Sequence, residues 1–251
     1  MDTISNKFYK PLRTLDSCSS FVFYISATMS IVLLFVSPGN AFYELLSCSY
    51  IVLLVLLFIA GHVIRLYLCP RAERERVRDF VSHAFTVHLV SKKSEGYYNS
   101  HDNGPYINSA AQVLENCHFS KHIAADMAKN ARIIICAYSV ILFVSILNRT
   151  TSLSLIAIIA QAFLGEYILS RWLRIEWLKA RFESLYDTLY TVIQNSTRDN
   201  TNFIARIFSL IIEYESTKSI GGIVLSEASY LKLNQILSDE WNNIKGILNI
   251  N

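Results

Sequence analysis

Four long apolar runs with few or no charged residues limit what this chain can fold into more than any other feature. The first run has its centre at residues 21–36, and the second covers residues 44–68. Arg132 and Arg149 bracket the third run, and Arg149 and Glu166 bracket the fourth. A membrane-crossing helix needs about 20 mostly apolar residues. The first two runs reach this length, and the shorter second pair reaches it when the flanking arginine side chains extend toward the membrane surface.

The composition is typical of a membrane protein. Of the 251 residues, 52% are hydrophobic and only 17% are charged, and the mean hydropathy is +0.32, whereas about a quarter of the residues in a soluble domain are charged. A buried helical hairpin in a soluble domain is the alternative for the second pair of runs. Tyr167 and Trp172, which lie where an aromatic belt would fall, favour a membrane crossing. The sequence therefore predicts an all-α membrane protein with four transmembrane helices and helical cytoplasmic extensions.

The distribution of basic residues predicts the orientation of the chain. The N-terminal arm has three basic residues, and the segments after the second and fourth runs have four each, whereas the two short turns contain only Arg149. The positive-inside rule then places both termini and the long connection of residues 69–130 in the cytoplasm. We therefore expect a multi-pass protein of the cell inner membrane. The net charge of +3 is too small to indicate a general nucleic-acid-binding protein.

This plan divides the chain into four segments. Residues 1–68 are predicted to form an N-terminal arm and the first two transmembrane helices, and residues 131–171 the second pair of transmembrane helices. Residues 69–130 are predicted to form a cytoplasmic helical connector with a basic and aromatic loop. Residues 172–251 are predicted to form a C-terminal cytoplasmic helical region.

The C-terminal region is predicted to contain several helices, two of them near residues 202–217 and 226–248. Its first helix has apolar residues at alternating spacings of four and three, which is the pattern of a packing seam. The seam is expected to pack against other helices, of this chain or of other subunits, and consists of Leu178, Phe182, Leu185, Leu189 and Val192.

The connector contains the residues that we predict to bind a ligand. An amphipathic helix follows the second apolar run and carries arginines on its polar face, two of them one turn apart. In the loop that follows, a lysine pair precedes a tyrosine pair; lysines can contact phosphates and tyrosine rings can stack on bases. The alternative is an ordinary solvated loop beside a charged collar. The predicted site for a nucleotide or single-stranded oligonucleotide comprises Arg74, Arg78, Lys92, Lys93, Tyr97 and Tyr98.

Ionisable residues inside the apolar runs indicate a pore or gate. His62 and Arg65 lie in the second run, and Glu166 ends the fourth. Ionisable groups at membrane depth prefer a water-filled lumen or a partner of opposite charge. Arg65 and Glu166 both lie near the inner leaflet, so they either pair with each other or line a pore mouth. We predict these three residues as pore or gate residues.

Catalysis has a single weak candidate in this sequence. Arg78 and His83 have the arginine-to-histidine spacing of the HEPN ribonucleases, in which histidine performs acid–base chemistry and arginine contacts the scissile phosphate. A separation of five residues is about 140° around a helix, so the two side chains do not share a face well. Motifs for a serine triad or a phosphate-binding loop are absent from the sequence. We expect no enzyme and no catalytic residue, and a membrane-tethered ribonuclease remains the alternative.

A metal site also has little support in the sequence. His118 and His122 have the i, i+4 spacing of a zinc-binding pair, and Cys117 is adjacent. No acidic or cysteine partner completes the set at a recognised spacing. We therefore predict neither a metal nor another cofactor.

Several short motifs occur together in the connector: an Asp-Phe pair, a Ser-x-Gly-Tyr-Tyr-Asn stretch and a Glu-Asn pair. They lie at Asp79, Phe80 and Phe85, at residues 94–99, and at Glu115, Asn116 and Phe119. With these motifs and its four apolar runs, the chain resembles small prokaryotic four-helix membrane proteins of antiphage defence, such as the Hailong B-type channels. The resemblance covers residues 70–130 and the hydropathy plan of the whole chain.

The resemblance implies a homo-oligomeric ion channel, with a tetramer favoured, that is encoded beside a nucleotidyltransferase. It also implies that a nucleotide or short oligonucleotide made by this partner enzyme holds the pore closed or opens it. Four helices in one subunit are too few to enclose a conduit, which also indicates an oligomer. The expected function is therefore a ligand-gated membrane pore that acts as an antiphage effector. A non-enzymatic membrane scaffold that docks a soluble partner through residues 171–251 is a further alternative.

Overall fold

The computed structural model describes most of the chain, and every regular element in the described part is helical. The described residues are 5–33, 35–37, 39–85, 87–89, 105–148, 152–195 and 200–250. The α-helices in these ranges are α1 (Lys10–Leu33), α2 (Ala41–Val63), α3 (Cys69–Ala84), α4 (Pro105–Leu147), α5 (Leu153–Leu164), α6 (Arg171–Asn195), α7 (Thr201–Gly221) and α8 (Glu227–Leu248). The all-α prediction is confirmed for this part of the chain, including the two helices expected near residues 202–217 and 226–248.

Polar residues at the helix ends explain where several helices begin and end. The side chain of Asn40 accepts a hydrogen bond from the backbone N–H of Phe42 at 3.2 Å, which satisfies a donor in the first turn of α2. α7 ends at Gly222, whose φ of 55° lies in the left-handed region that glycine adopts without strain. The residues that cap the starts of α5, α7 and α8 are Ser152, Asn200 and Ser226.

Short π-helical segments follow two of the helices that contain the apolar runs. Ile64–Leu68 joins α2 to α3, and Glu166–Ser170 leads from α5 to α6. Four helical runs are long and apolar enough to cross a membrane: Lys7–Leu33, Ala41–His83, Tyr106–Leu147 and Leu153–Asn195. These runs indicate a multi-pass membrane protein, as the sequence predicted. The number of subunits and the side on which the termini lie stay predictions.

The chain divides into two compact units. We call the unit made of Phe8–Pro70 and Asn130–Leu173 the apolar unit. We call the unit made of Met1–Lys7, Arg71–Lys129 and Arg174–Asn251 the polar unit.

The polar unit has an ordinary hydrophobic core. Phe80 of α3, Leu114 of α4, Phe203 of α7 and Trp241 of α8 are all buried in one cluster, together with the α6 seam. The five seam residues are at most 7% exposed, so the structure buries the seam inside the subunit. The seam is therefore not available for packing against a second subunit, in contrast to one of the two expectations from its spacing.

The apolar unit buries small polar side chains and exposes large apolar ones. Ser19, Ser26 and Ser30 are buried on α1, and each donates its hydroxyl to a carbonyl of its own helix at 2.7–2.8 Å. Small residues of this kind let membrane helices approach one another closely. In the run Tyr106–Leu147, no residue of the most apolar 18-residue stretch is buried. The single chain therefore does not bury this run in a core of its own, which disagrees with the alternative of a hairpin buried within a soluble domain.

Candidate ligand-binding and pore-lining residues

Arg74 and Arg78, two of the predicted ligand-binding residues, lie one turn apart on α3 with exposed side chains. Arg78 donates from Nη1 to Oε1 of Glu75 at 3.0 Å. Arg74 forms no ion pair with any residue that the structure describes. An exposed ion pair is worth roughly 0–1 kcal/mol, so Arg78 can exchange Glu75 for an anionic ligand at little cost. These two side chains keep the exposure and the shared face that the ligand prediction requires.

The other four predicted ligand-binding residues lie in the connector loop. Lys92, Lys93, Tyr97 and Tyr98 fall outside the residues that the structure describes. Their proposed contact with a ligand stays a prediction from the sequence.

Arg76 lies between the two exposed arginines in sequence, but its side chain is only 12% exposed. Its Nε donates to Oε2 of Glu73 at 2.9 Å, and its Nη2 donates to Glu215 of α7. The Nζ of Lys218, also on α7, lies 3.5 Å from the same Glu73 oxygen. These four residues form a charge network that joins α3 to α7 within the polar unit.

The environment of the charge network differs from that of the exposed arginines. Burial lowers the pKa of Lys218, and the positive charge of Arg76 lowers it further, while Glu73 and Glu215 act in the opposite direction. The inward orientation of Arg76 has a local sequence signal, because Arg76 lies one helical turn before the buried Phe80. The arginines of α3 were predicted to share its polar face, and the partly buried Arg76 is an exception.

Arg65 and Glu166, two of the predicted pore residues, form a hydrogen-bonded ion pair in the apolar unit. Their side chains are 61% and 54% exposed. Arg65 lies in the π-helical segment Ile64–Leu68, and Glu166 begins the π-helical segment Glu166–Ser170. Such segments occur often at functional sites. The structure therefore confirms that the two residues pair, and it leaves the pair on the surface of the subunit. Apolar side chains beside it, Leu66, Tyr67 and Leu164, are exposed as well.

His62, the third predicted pore residue, is exposed on α2, three residues before Arg65. Its Nδ1 lies 2.8 Å from the carbonyl oxygen of Phe58, which fits a donated hydrogen bond from that nitrogen. The Phe58 ring packs against the imidazole with centroids 4.2 Å apart. Because residues three apart on a helix share a face, His62 extends the exposed polar face formed by Arg65 and Glu166.

A second ion pair of the apolar unit connects two helices. Both Nη atoms of Arg171 donate to the carboxylate of Asp16, at 3.2 and 2.9 Å. This bidentate pair is about 29% exposed on each side and joins α1 to the start of α6. A bidentate arginine–carboxylate pair fixes orientation as well as distance. It therefore holds helix ends together, in contrast to the exposed Arg65–Glu166 pair.

Arg78 and His83, the candidate ribonuclease pair, do not lie on one exposed surface of α3. Arg78 is exposed and contacts Glu75, whereas the side chain of His83 is 13% exposed and has Nε2 3.6 Å from Oδ1 of the buried Asp79. Asp79 and the neighbouring Phe80 belong to the interior of the polar unit. A shared active site would require further residues from another chain, and the ribonuclease alternative stays a prediction.

Among the residues that the structure describes, His118, His122 and Glu240 form a group with the arrangement of a metal site. Their potential ligand atoms all lie within 4.8 Å of one another. The histidine pair was visible in the sequence but its acidic partner was not, because Glu240 lies on α8, far from α4 along the chain. Only the folding of α8 against α4 brings the carboxylate to the histidines.

Comparison of the chain with protein-family models, with curated proteins and with solved structures gave no match. The function must therefore be inferred from the residues of this chain and their geometry.

Proposed function

We propose that this chain is the subunit of an oligomeric ion-conducting pore, gated by a nucleotide or short oligonucleotide and acting as an antiphage defence effector. The observation that carries the proposal is the exposed Arg65–Glu166 ion pair, which lies beside exposed apolar side chains such as Leu66 and Leu164. The same surface includes His62 and exposed residues of α2 and α5.

A charged pair exposed to lipid is unfavourable. A charged side chain at the centre of a membrane helix costs about 2.5–3.5 kcal/mol on insertion scales, and less near the helix ends. Assembly of several subunits around a water-filled lumen would remove this cost, because Arg65 and Glu166 would then face water. A ring of such pairs at the lumen would also set the electrostatic field that a permeating ion meets.

One subunit has four helical runs of membrane length, which are too few to enclose a conduit. The exposed large apolar residues of the apolar unit, Phe58 and Phe143 among them, provide surface for contact with lipid and with neighbouring subunits. A closed symmetric ring is the usual outcome for copies of one chain. A tetramer is favoured because the family that the sequence resembles implies one.

Arg74 and Arg78 are proposed to hold the gating ligand. They are exposed on one face of α3, and α3 continues the helical run that contains Arg65. In an oligomer, each subunit would contribute such a pair, so a multiply charged anion would bind several subunits at once and gain avidity. Gating requires only that the ligand binds one pore state more tightly than the other. The loop residues Lys92, Lys93, Tyr97 and Tyr98 are proposed to add phosphate contacts and base stacking.

Ion flux from liposomes tests the pore. The purified chain is inserted into potassium-loaded liposomes, and potassium release is recorded with and without a short single-stranded oligonucleotide of mixed sequence. We expect release in at least one of the two conditions. Glu166→Gln is expected to change the rate of release because it removes a charge at the lumen. Glu44→Gln, which removes an exposed carboxylate at the start of α2, is the matched control and is expected to behave like the wild type.

The ligand is tested in the same liposomes. Arg74→Ala with Arg78→Ala is expected to weaken the oligonucleotide effect at least about tenfold, since charge-assisted contacts to phosphate contribute about 1.5–3 kcal/mol each. Arg206→Ala removes an exposed arginine of α7 and is the control for loss of positive charge. No flux in either condition, with correct insertion shown by protease protection, would reject the pore and leave the scaffold alternative. RNA cleavage that is lost in His83→Ala would instead support the ribonuclease.

A further inference from the structure

His118 and His122 lie one turn apart on α4, within the polar unit. Residues four apart project from the same face of a helix, and their ring centroids are 5.0 Å apart. Glu240 approaches the same point from α8, with Oε2 3.4 Å from Nε2 of His118. Two imidazoles and a carboxylate thus converge from two helices.

His118 is buried, with only 2% of the residue exposed to solvent. Neither ring nitrogen forms a hydrogen bond of good geometry. The backbone carbonyl of Leu237 interacts with the ring, and Glu240 is the nearest carboxylate. Buried polar atoms that lack well-formed hydrogen bonds are unfavourable. A cation at this point would give one nitrogen of His118 a strong partner, and the Leu237 carbonyl could orient the other.

We propose that His118, His122 and Glu240 bind one divalent transition-metal ion, with zinc as the expected ion. Zinc accepts histidine nitrogens and carboxylate oxygens at about 2.0–2.2 Å in tetrahedral geometry, which separates neighbouring ligand atoms by about 3.4 Å. The distance of 3.4 Å between Nε2 of His118 and Oε2 of Glu240 already equals this separation. The remaining ligand-atom distances are at most 4.8 Å, and the His122 and Glu240 side chains would have to rotate to bring them into the same range.

The exposure of the three side chains fits an ion that enters from solvent. His118 is buried, His122 is half-buried, and the side chain of Glu240 is 48% exposed. The ion would therefore have its protein ligands on one side and a position for water on the other. Three protein ligands and an open position are the arrangement of catalytic rather than closed structural zinc sites.

Burial lowers the pKa of both histidines, which favours the neutral form of each imidazole. Burial lowers the pKa of His118 to about 4, and the neighbouring charges of His122 and Lys121 lower it further. Burial also lowers the pKa of His122, with Lys121 acting in the same direction. Neutral imidazole is the form that coordinates a metal ion, so neither residue has to lose a proton at neutral pH.

Lys121 is the main source of repulsion for a cation at this site. Its ammonium lies 3.3 Å from the centroid of the Tyr186 ring, where the aromatic face stabilises the positive charge. The carboxylates of Asp187, Glu183 and Glu240 also act on Lys121, and they offset its charge. The local balance of charge therefore permits a divalent cation next to this lysine.

A metal at this point would fasten α8 to α4. Ligands from both helices would have to separate for α8 to leave the polar unit, so binding would stabilise their packing. α4 is also the helix that continues into the third apolar run. This inference does not depend on the proposed pore, because it concerns only residues of the polar unit.

Zinc binding to the whole purified chain tests the proposal. The chain, without a histidine tag, is extracted in detergent, treated with a chelator and titrated with Zn²⁺ against a competing chromophoric indicator. We expect one ion per chain. Glu240→Gln and His122→Ala are each expected to weaken zinc binding more than about tenfold, since even an outer-sphere partner contributes about 10–100-fold. His118 is left unchanged because its replacement would disturb the core.

Asp239→Asn is the matched control, because it removes an exposed carboxylate from the residue next to Glu240. It is expected to bind zinc like the wild type. Zinc at about 100-fold over its wild-type Kd is expected to raise the Tm of the wild type by roughly 5–10 °C, and to raise the Tm of Glu240→Gln by no more than about half as much. Circular dichroism confirms that each variant is folded. Absence of zinc binding by the folded wild type, or wild-type affinity in Glu240→Gln, would overturn the proposal.

Discussion

Phe182, in the polar unit, is 1% exposed, whereas Phe58 and Phe143, in the apolar unit, are 67% and 63% exposed. Full burial of such a side chain contributes about 1.5–3 kcal/mol relative to exposure in water. The polar unit obtains this contribution from its own core. The apolar unit leaves its large side chains on the surface, where lipid or neighbouring subunits must cover them. Phenylalanines are thus buried in a protein core in one unit and exposed on the surface of the subunit in the other.

The ion pairs of the two units differ in the same way. In the polar unit, Arg76 and Lys218 are largely buried and contact two glutamates. In the apolar unit, Arg65 and Glu166 are more than half exposed. Buried networks contribute to the fold and break at high cost, whereas an exposed pair contributes little to the stability of a single subunit. The exposed pair is therefore the better candidate for a role that appears only in the assembly.

The largest difference between the units is expected for phenylalanine truncation. Phe182→Ala should lower the free energy of unfolding in detergent by about 3–5 kcal/mol, because it leaves a cavity in a close-packed core. Phe143→Ala, the same change on the exposed surface, should cost less than about 1 kcal/mol. Denaturation followed by circular dichroism measures both. Equal destabilisation by the two variants would show that Phe143 is also part of a core.

Arginine replacement is expected to give the next largest difference. Arg76→Met should lower the free energy of unfolding by about 3 kcal/mol, because it leaves Glu73 and Glu215 partly buried without their main partner. Arg65→Met, the matched change in the exposed pair, should cost only about 0–1 kcal/mol in detergent. The same Arg65→Met protein should nevertheless alter ion flux in liposomes. A large loss of stability in Arg65→Met would contradict the separation of structural and pore-lining pairs.

A smaller and pH-dependent effect is expected at Glu115 in the polar unit. Burial raises the pKa of Glu115 from 4.5 to about 7, against the attraction of Lys245. The folded protein therefore binds this proton more tightly than the unfolded chain, so this residue makes stability fall as pH rises from about 4.5 to about 7. Glu115→Gln should remove that decrease and be more stable than the wild type at pH 8, by about 2 kcal/mol.

Thermal unfolding between pH 5 and pH 8, in steps chosen across that window, checks the Glu115 prediction. Asp239→Asn also removes one carboxylate of the polar unit, but at an exposed position, and should retain the wild-type pH dependence. His118 affects the pH dependence of stability in the opposite direction, and it does so in every variant. Burial lowers its pKa from 6.5 to about 4, so the folded protein binds this proton less tightly than the unfolded chain does. Stability therefore falls as pH falls below 6.5. A wild-type pH profile in Glu115→Gln would show that the folded protein does not hold this proton.

Much of the fold could be predicted because its signals are local. Apolar runs, capping residues and turn residues lie within a few positions of the helices that they determine, and the four membrane-length runs and α7 and α8 were located from them. The pairing of Arg65 with Glu166 was one of two alternatives that the sequence left open, because the two residues are charged groups expected at one depth of the membrane.

The remaining features depend on contacts between distant parts of the chain. Nothing near Glu240 indicates that its carboxylate reaches His118, because α8 must first pack on α4. The 4,3 spacing of the α6 seam predicts that the seam is covered, but not whether its partner belongs to the same chain. The inward orientation of Arg76 was within reach of the helical periodicity, since Phe80 lies one turn away.

A particle image of the purified chain in lipid nanodiscs tests whether the exposed charged pair of the apolar unit faces water inside an assembly rather than lipid. We predict a closed symmetric ring, with Arg65 and Glu166 of each subunit at a central conduit. A single subunit in the nanodisc, or a ring whose Arg65–Glu166 pairs face the surrounding lipid, would contradict it.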